Sequence, residues 1–130
     1  MLKQKREKID LAADEVSLFQ NSIARDLSEA GFHLGRAIET FLEWLIDENK
    51  IKFFFHRPTI QEKVKELQKK NIIEKLTAQN LISCYSWRGY AVHGKSVNKK
   101  QAKHFYELIK DIIWRYWSSS KNEIEYKSLA

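Results

Sequence analysis

Apolar residues recur along this chain at the three-and-four spacing of helices. Over residues 5–25 they fall at Ile9, Ala13, Val16, Phe19 or Gln20, and Ile23, with the charges mostly between them. That pattern predicts a surface helix with one buried face. Asp26 and Glu29 then have the spacing of an N-cap and its returning carboxylate, although no glycine or proline forces a break there and one long bent helix is the alternative. A second helix is predicted over residues 27–49, with Leu34, Ile38, Phe41, Leu42 and Leu45 as its core stripe. Gly31 and Gly35 lie four apart on a neighbouring face, where another backbone can come close. Phe53, Phe54 and Phe55 ahead of Pro58 suggest a buried, extended connection, because the residue before a proline is pushed out of helical geometry. Pro58 suits the first turn of a third helix, whose apolar side is Ile60, Val64 and Leu67 and whose other side carries Lys63, Lys65, Lys69 and Lys70. A turn near Asn71 closes it, packed down by Ile72, Ile73 and Leu76.

The fourth predicted helix begins at Thr77 as cap and ends at Gly94. Leu81, Ile82, Cys84, Tyr85, Trp87, Ala91 and Val92 surround it almost completely with apolar groups, which places it centrally in a subunit or at a subunit interface. Leu81, Tyr85, Arg88 and Val92 share one face, so Arg88 stands where a leucine is expected. An isolated cation on an apolar stripe is costly unless an anion meets it. Arg36, Glu39 and Glu43 bear on that question. They share a polar edge of the second helix, either as a solvated salt-bridge row or with Glu39 turned inward to partner Arg88. A fifth helix, capped by Ser96 or Asn98, carries Ala102, Phe105, Ile109, Ile112 and Tyr116, widened by Leu108, Ile113 and Trp117. Residues 118–130 lose the pattern and read as a polar tail that frays. Residues 1–117 form a single all-α domain, a bundle of four to five helices.

Composition adds limits rather than detail. The 130 residues hold 43% hydrophobic and 31% charged side chains, four glycines and one proline, which suits a folded helical domain. A net charge of +6 is compatible with an anionic partner and equally with an ordinary, mildly basic protein. The lone Cys84 cannot form an internal disulfide and fits a reducing compartment. The charged start shows no leader sequence, and no apolar run nears the ~20 residues of a membrane span. A cytoplasmic protein with no membrane contact is the expectation.

The candidate chemistry centres on Arg88 and His93. They are about 140° apart on an ideal helix, but the histidine falls in the last turn before Gly94, where geometry loosens. Arginine offers phosphate a flat fork of donors, and histidine moves protons near neutrality. Two copies of this helix around a dimer axis would bring two such pairs to one cleft. Lys95, Lys99, Lys100 and Lys103 follow within a dozen residues, around a helix start that itself attracts anions. They are candidate phosphate contacts or simply a solvated first turn. Tyr85, Trp87 and Tyr90 are aromatic enough to stack on bases, or are core residues. The four histidines and one cysteine do not have zinc-site spacing. No phosphate loop, nucleophile elbow or paired aspartates occurs, so neither a metal nor a cofactor is expected.

Arg88-Gly89-Tyr90-Ala91-Val92-His93-Gly94 resembles the Arg–x(4–6)–His motif of the HEPN superfamily, small helical domains of prokaryotic defence and toxin systems. Gly35-Arg36-Ala37-Ile38-Glu39-Thr40-Phe41-Leu42 is similar to the Gly/Ala-Arg-x-x-Glu helix of many members, and residues 59–76 are similar to the helix and turn preceding the motif; the likeness spans residues 25–115. The resemblance implies a bundle that dimerises through the motif helix and cleaves RNA without metal, leaving a 2′,3′-cyclic phosphate. It implies that Arg88 holds the phosphate, His93 orients it or shuttles the proton, Glu39 supports the site, and a cognate antitoxin or defence-system protein is a partner. Two departures stand out. Gly89 occupies the position where active members often carry Asn, Asp or His, and Lys95 stands where the branch paired with a nucleotidyltransferase has tyrosine. Three readings follow: a homodimeric endoribonuclease, a catalytically silent HEPN module that binds RNA, a nucleotide or a protein, and an assembly domain in which Arg88 pairs with Glu39 for structural reasons alone.

Overall fold

The computed structural model describes residues 6–54 and 56–129, with residues 122–129 described by backbone only. It is all-helical: α1 Lys8–Ile23, α2 Leu27–Glu48, α3 Ile60–Lys69, α4 Lys75–Val92 and α5 Lys99–Leu129. The sequence start and Phe55 lie outside the described residues.

The break between α1 and α2 is real, and Asp26 makes it. Its side chain accepts from the Ser28 and Glu29 amides, satisfying two free N–H groups of the first turn. Glu29 does not return to the cap; it pairs with Arg25 at 2.9 Å. The apolar face of α1 is Ile9, Ala12, Val16, Phe19 and Ile23, whereas Ala13 is half-buried and Gln20 exposed. The predicted stripe of α2 is buried throughout. This helix is the hub of the bundle, packed against each of the other four.

Three helices end in one way. α2, α3 and α4 are closed by Lys50, Asn71 and Gly94 in the left-handed region, with φ of 53°, 59° and 67°. In each, the next residue's amide reaches back to the carbonyl five residues earlier: Ile51 to Ile46, Ile72 to Leu67, and Lys95 to Tyr90. These are Schellman closures, which use up otherwise orphaned carbonyls and turn the chain sharply.

Four expectations change. Pro58 precedes α3 instead of lying in its first turn; Thr59 is the cap and exchanges side-chain bonds with Glu62. α4 begins at Lys75 with Glu74 as N-cap, so Thr77 is a buried residue of the first turn rather than the cap. Phe54 is 80% exposed: successive side chains on an extended strand point to opposite sides, and three in a row cannot all face a core. The polar stretch after Trp117 continues α5 as helix through Leu129. The near end of that stretch is tied to α1, where Asp10 accepts from Trp117 Nε1 at 2.8 Å and pairs with Lys121 at 2.9 Å. Burial alone raises a carboxyl's pKa, but the bonds from Lys121, the Glu7 amide and Trp117 outweigh it and hold Asp10 below the usual range.

Candidate functional site

The contact between α2 and α4 is set by two glycines. A Cβ on Gly31 would lie 2.8 Å from Ala91 Cβ and 3.2 Å from the Arg88 carbonyl, and one on Gly35 would lie 2.8 Å from Arg88 Cδ. At Gly31 only hydrogen fits, so α4 lies directly on the backbone of α2, and at Gly35 an added methyl would have to displace the Arg88 side chain. The aliphatic stem of Arg88 is thereby laid across Gly35.

Arg88 is half-buried there. Its guanidinium carbon sits 3.9 Å from the centre of the Tyr85 ring, a cation–π contact that offsets part of the desolvation cost, by about 0.5–2 kcal/mol. Its Nε is buried without a hydrogen-bond partner, and Arg88 enters no ion pair among the described residues. Glu39 does turn inward, but Tyr85 takes it: the phenol donates to Glu39 Oε1 at 2.9 Å. Burial, then this bond, pushes the Tyr85 hydroxyl above its ordinary pKa, with Arg88 pulling the other way. Glu39 thus acts on Arg88 at one remove, through the ring that carries the cation. The purely structural Arg88–Glu39 pair is not formed.

Nor is the salt-bridge row on α2. Arg36 reaches Glu15 on α1 at 3.2 Å, and Glu43 meets Lys8 at 3.6 Å. Glu15 also lies 2.7 Å from His33 Nδ1, so this cluster fastens α1 to α2 away from Arg88. Sequence periodicity within one helix cannot show such cross-helix pairs.

His93 is the C-cap of α4 and is exposed. The Schellman closure through Gly94 fixes its backbone, while no hydrogen bond holds its ring among the described residues. Arg88 faces α2 and His93 caps the helix end, and no hydrogen bond joins the two among the described residues. Gly89, the departure from the motif, has nothing within 4 Å of an added Cβ; its side of α4 is open.

Lys95, Lys99, Lys100 and Lys103 are all exposed and enter no ion pair among the described residues. The chain between them is held by a reciprocal cap: Asn98 Oδ1 accepts from the Gln101 amide at 2.9 Å and Gln101 Oε1 from the Asn98 amide at 3.1 Å. Gln101 Oε1 also accepts from Trp87 Nε1 at 3.3 Å, which anchors the start of α5 on the motif helix. Of the two caps considered for α5, Asn98 is used.

One signal was legible but unread. From Lys75 to Tyr106 the chain has no Asp or Glu, yet it holds six of the 23 Lys and Arg residues. The rest of the chain is therefore neutral, and the entire net charge of +6 belongs to α4 and the start of α5. Cys84 is buried in the same helix, and burial pushes its thiol up to about 12, far from a reactive thiolate. Among the described residues no helix is long and apolar enough to cross a membrane. No family model, curated protein or solved structure matches this chain.

Proposed function

We propose that this chain is a metal-independent endoribonuclease of the HEPN type, working as a homodimer through α4, with Arg88 and His93 as its reacting pair. The observation that carries the reading is Arg88 itself: a half-buried guanidinium laid over Gly35 and Tyr85, with an unpartnered Nε and no carboxylate ion pair. A charge kept in that condition is complementary to an anion from outside, and the absence of Asp and Glu from residues 75–106 favours a polyanion.

In the proposed reaction the ribose 2′-oxygen attacks the adjacent phosphorus and the bond to the 5′-oxygen breaks, leaving a 2′,3′-cyclic phosphate and a 5′-hydroxyl. Arg88 binds the phosphate and offsets the charge that develops on it. One proton must leave the 2′-hydroxyl and one must reach the 5′-oxygen. A His93 from each of two copies supplies one base and one acid. Glu39 and Tyr85 position the guanidinium. Lys95, Lys99, Lys100 and Lys103 guide the RNA.

The test is cleavage of a single-stranded RNA in excess chelator. Arg88→Ala and His93→Ala are each expected to lose about 100-fold or more, with cyclic phosphate ends on the wild-type products. Full activity in Arg88→Ala overturns the proposal. A second reading, a catalytically silent module that binds RNA, is favoured by one specific feature: among the described residues His93 has no hydrogen-bond partner to orient its ring, and Gly89 offers none. That reading gives salt-dependent RNA binding with no cleavage at any chelator concentration.

A further inference from the structure

The side of α4 turned away from Arg88 forms, with α5, a groove of about 850 Å³. Trp87 and Phe105 line it, packed on each other with ring centres 5.5 Å apart. Tyr90 stands at its edge, 58% exposed, and stacks on no other ring among the described residues. Ser83, Ser86 and Ser96 are small lining residues, and their hydroxyls make no hydrogen bonds to described residues. Lys100 supplies a cation on the α5 wall, and His104, one turn further on, adds an imidazole. No acidic residue lines the groove.

We infer that this groove binds one nucleotide unit of single-stranded RNA, its base against Tyr90 between the serines and its phosphate on Lys100 and His104. The inference rests on the RNA-cleavage reading and adds a subsite to it. A flat, largely apolar body is what an unpaired aromatic edge beside a slot of small residues accepts, and base stacking of this kind tolerates any sequence. An anion on one end of that body is what Lys100 on an acid-free wall selects. The volume is in the range of small-ligand sites and too small for a folded domain. Tyr90 also ties the groove to the motif: its carbonyl receives the Lys95 amide in the closure that places His93. A nucleotide held here lies on the same chain turn as the proposed proton-transfer group.

The experiment is an amide NMR titration of the full chain with adenosine 5′-monophosphate, and with inorganic phosphate as its control. Shifts centred on Tyr90, Ser96, Lys100 and His104 are expected, weakening as salt rises. Tyr90→Ala should reduce affinity about tenfold, and Ser86→Trp, which fills the slot from an exposed helix position, should abolish binding. Arg25→Ala, which removes a cation of the α1–α2 turn already paired with Glu29, should leave it unchanged. Inorganic phosphate producing the same shifts at the same affinity, an acidic peptide displacing the nucleotide, or unaltered binding in both groove variants would each overturn the subsite. Loss of the subsite with chelator-resistant cleavage intact removes only this inference. Nucleotide binding that survives while Arg88→Ala keeps full cleavage removes only the proposed reacting pair.

Discussion

α4 has two sides built on opposite rules. Toward α2 it is packed to the limit, with Gly31 and Gly35 giving up side chains so that Ala91 and Arg88 can lie on the backbone. Toward the groove it shares with α5 it is left open, with Ser83 and Ser86 exposed and Tyr90 standing free. Glycine serves close contact on the first side, and small serines leave space on the second. Tight packing fixes where a charge sits; an open slot admits something else. In this account the first side holds the phosphate-binding guanidinium and the second takes a base.

The comparison breaks most sharply at Gly31 and Gly35. Gly31→Ala drives a methyl into Ala91 Cβ and the Arg88 carbonyl, and is expected to cost about 1–3 kcal/mol as overpacking, read as a lower denaturation midpoint. Gly35→Ala meets only the Arg88 side chain, so its cost in stability should be smaller while its loss of RNA cleavage should approach that of Arg88→Ala. Equal stability losses with undiminished cleavage in Gly35→Ala would show that the position of Arg88 does not matter.

Next in size is the tie between α1 and α5, which calibrates an ordinary structural charge against Arg88. Asp10 is held below the usual carboxylate range, so its contribution is fully present above about pH 4 and is lost as pH falls through the depressed value. Asp10→Asn should cost about 1–3 kcal/mol near neutrality and flatten the acid limb of the stability profile. An unchanged acid limb would mean that the bonds from Trp117 and Lys121 contribute nothing.

The smallest effect is expected at Gly89. Gly89→Ala finds free space in the last turn of α4 and should stabilise the chain by up to about 0.5–1 kcal/mol. A destabilisation there would place Gly89 inside a packed contact, as the proposed dimer through α4 would if it used this face.

Much of this architecture is written in spacing. The core stripes of α2 and α5, the cap at Asp26 and the closure at Gly94 follow from local rules that need no partner. The start of α4 did not follow, because Thr77 has cap chemistry and yet is claimed by burial, so the helix begins at Lys75 with Glu74 in front. The Phe53–Phe54 stretch departs from expectation for a similar reason: hydrophobicity says bury, while alternation along an extended chain sends one ring to water. Around Arg88, the sequence showed a cation on an apolar face and a carboxylate one helix away. It could not show that Tyr85 stands between them. Which of two donors, phenol or guanidinium, reaches the carboxylate depends on how close two helices lie, and here the glycines settle that distance.

The most direct measurement of the central idea is the Arg88 Nε–H resonance during titration with a 2′-O-methyl oligoribonucleotide, which can bind but cannot be cleaved through its blocked 2′-oxygen. The account predicts a saturable shift of that resonance, with affinity falling as salt rises and binding much weaker in Arg88→Gln. An Arg88 signal that stays still while the oligonucleotide binds elsewhere would contradict it.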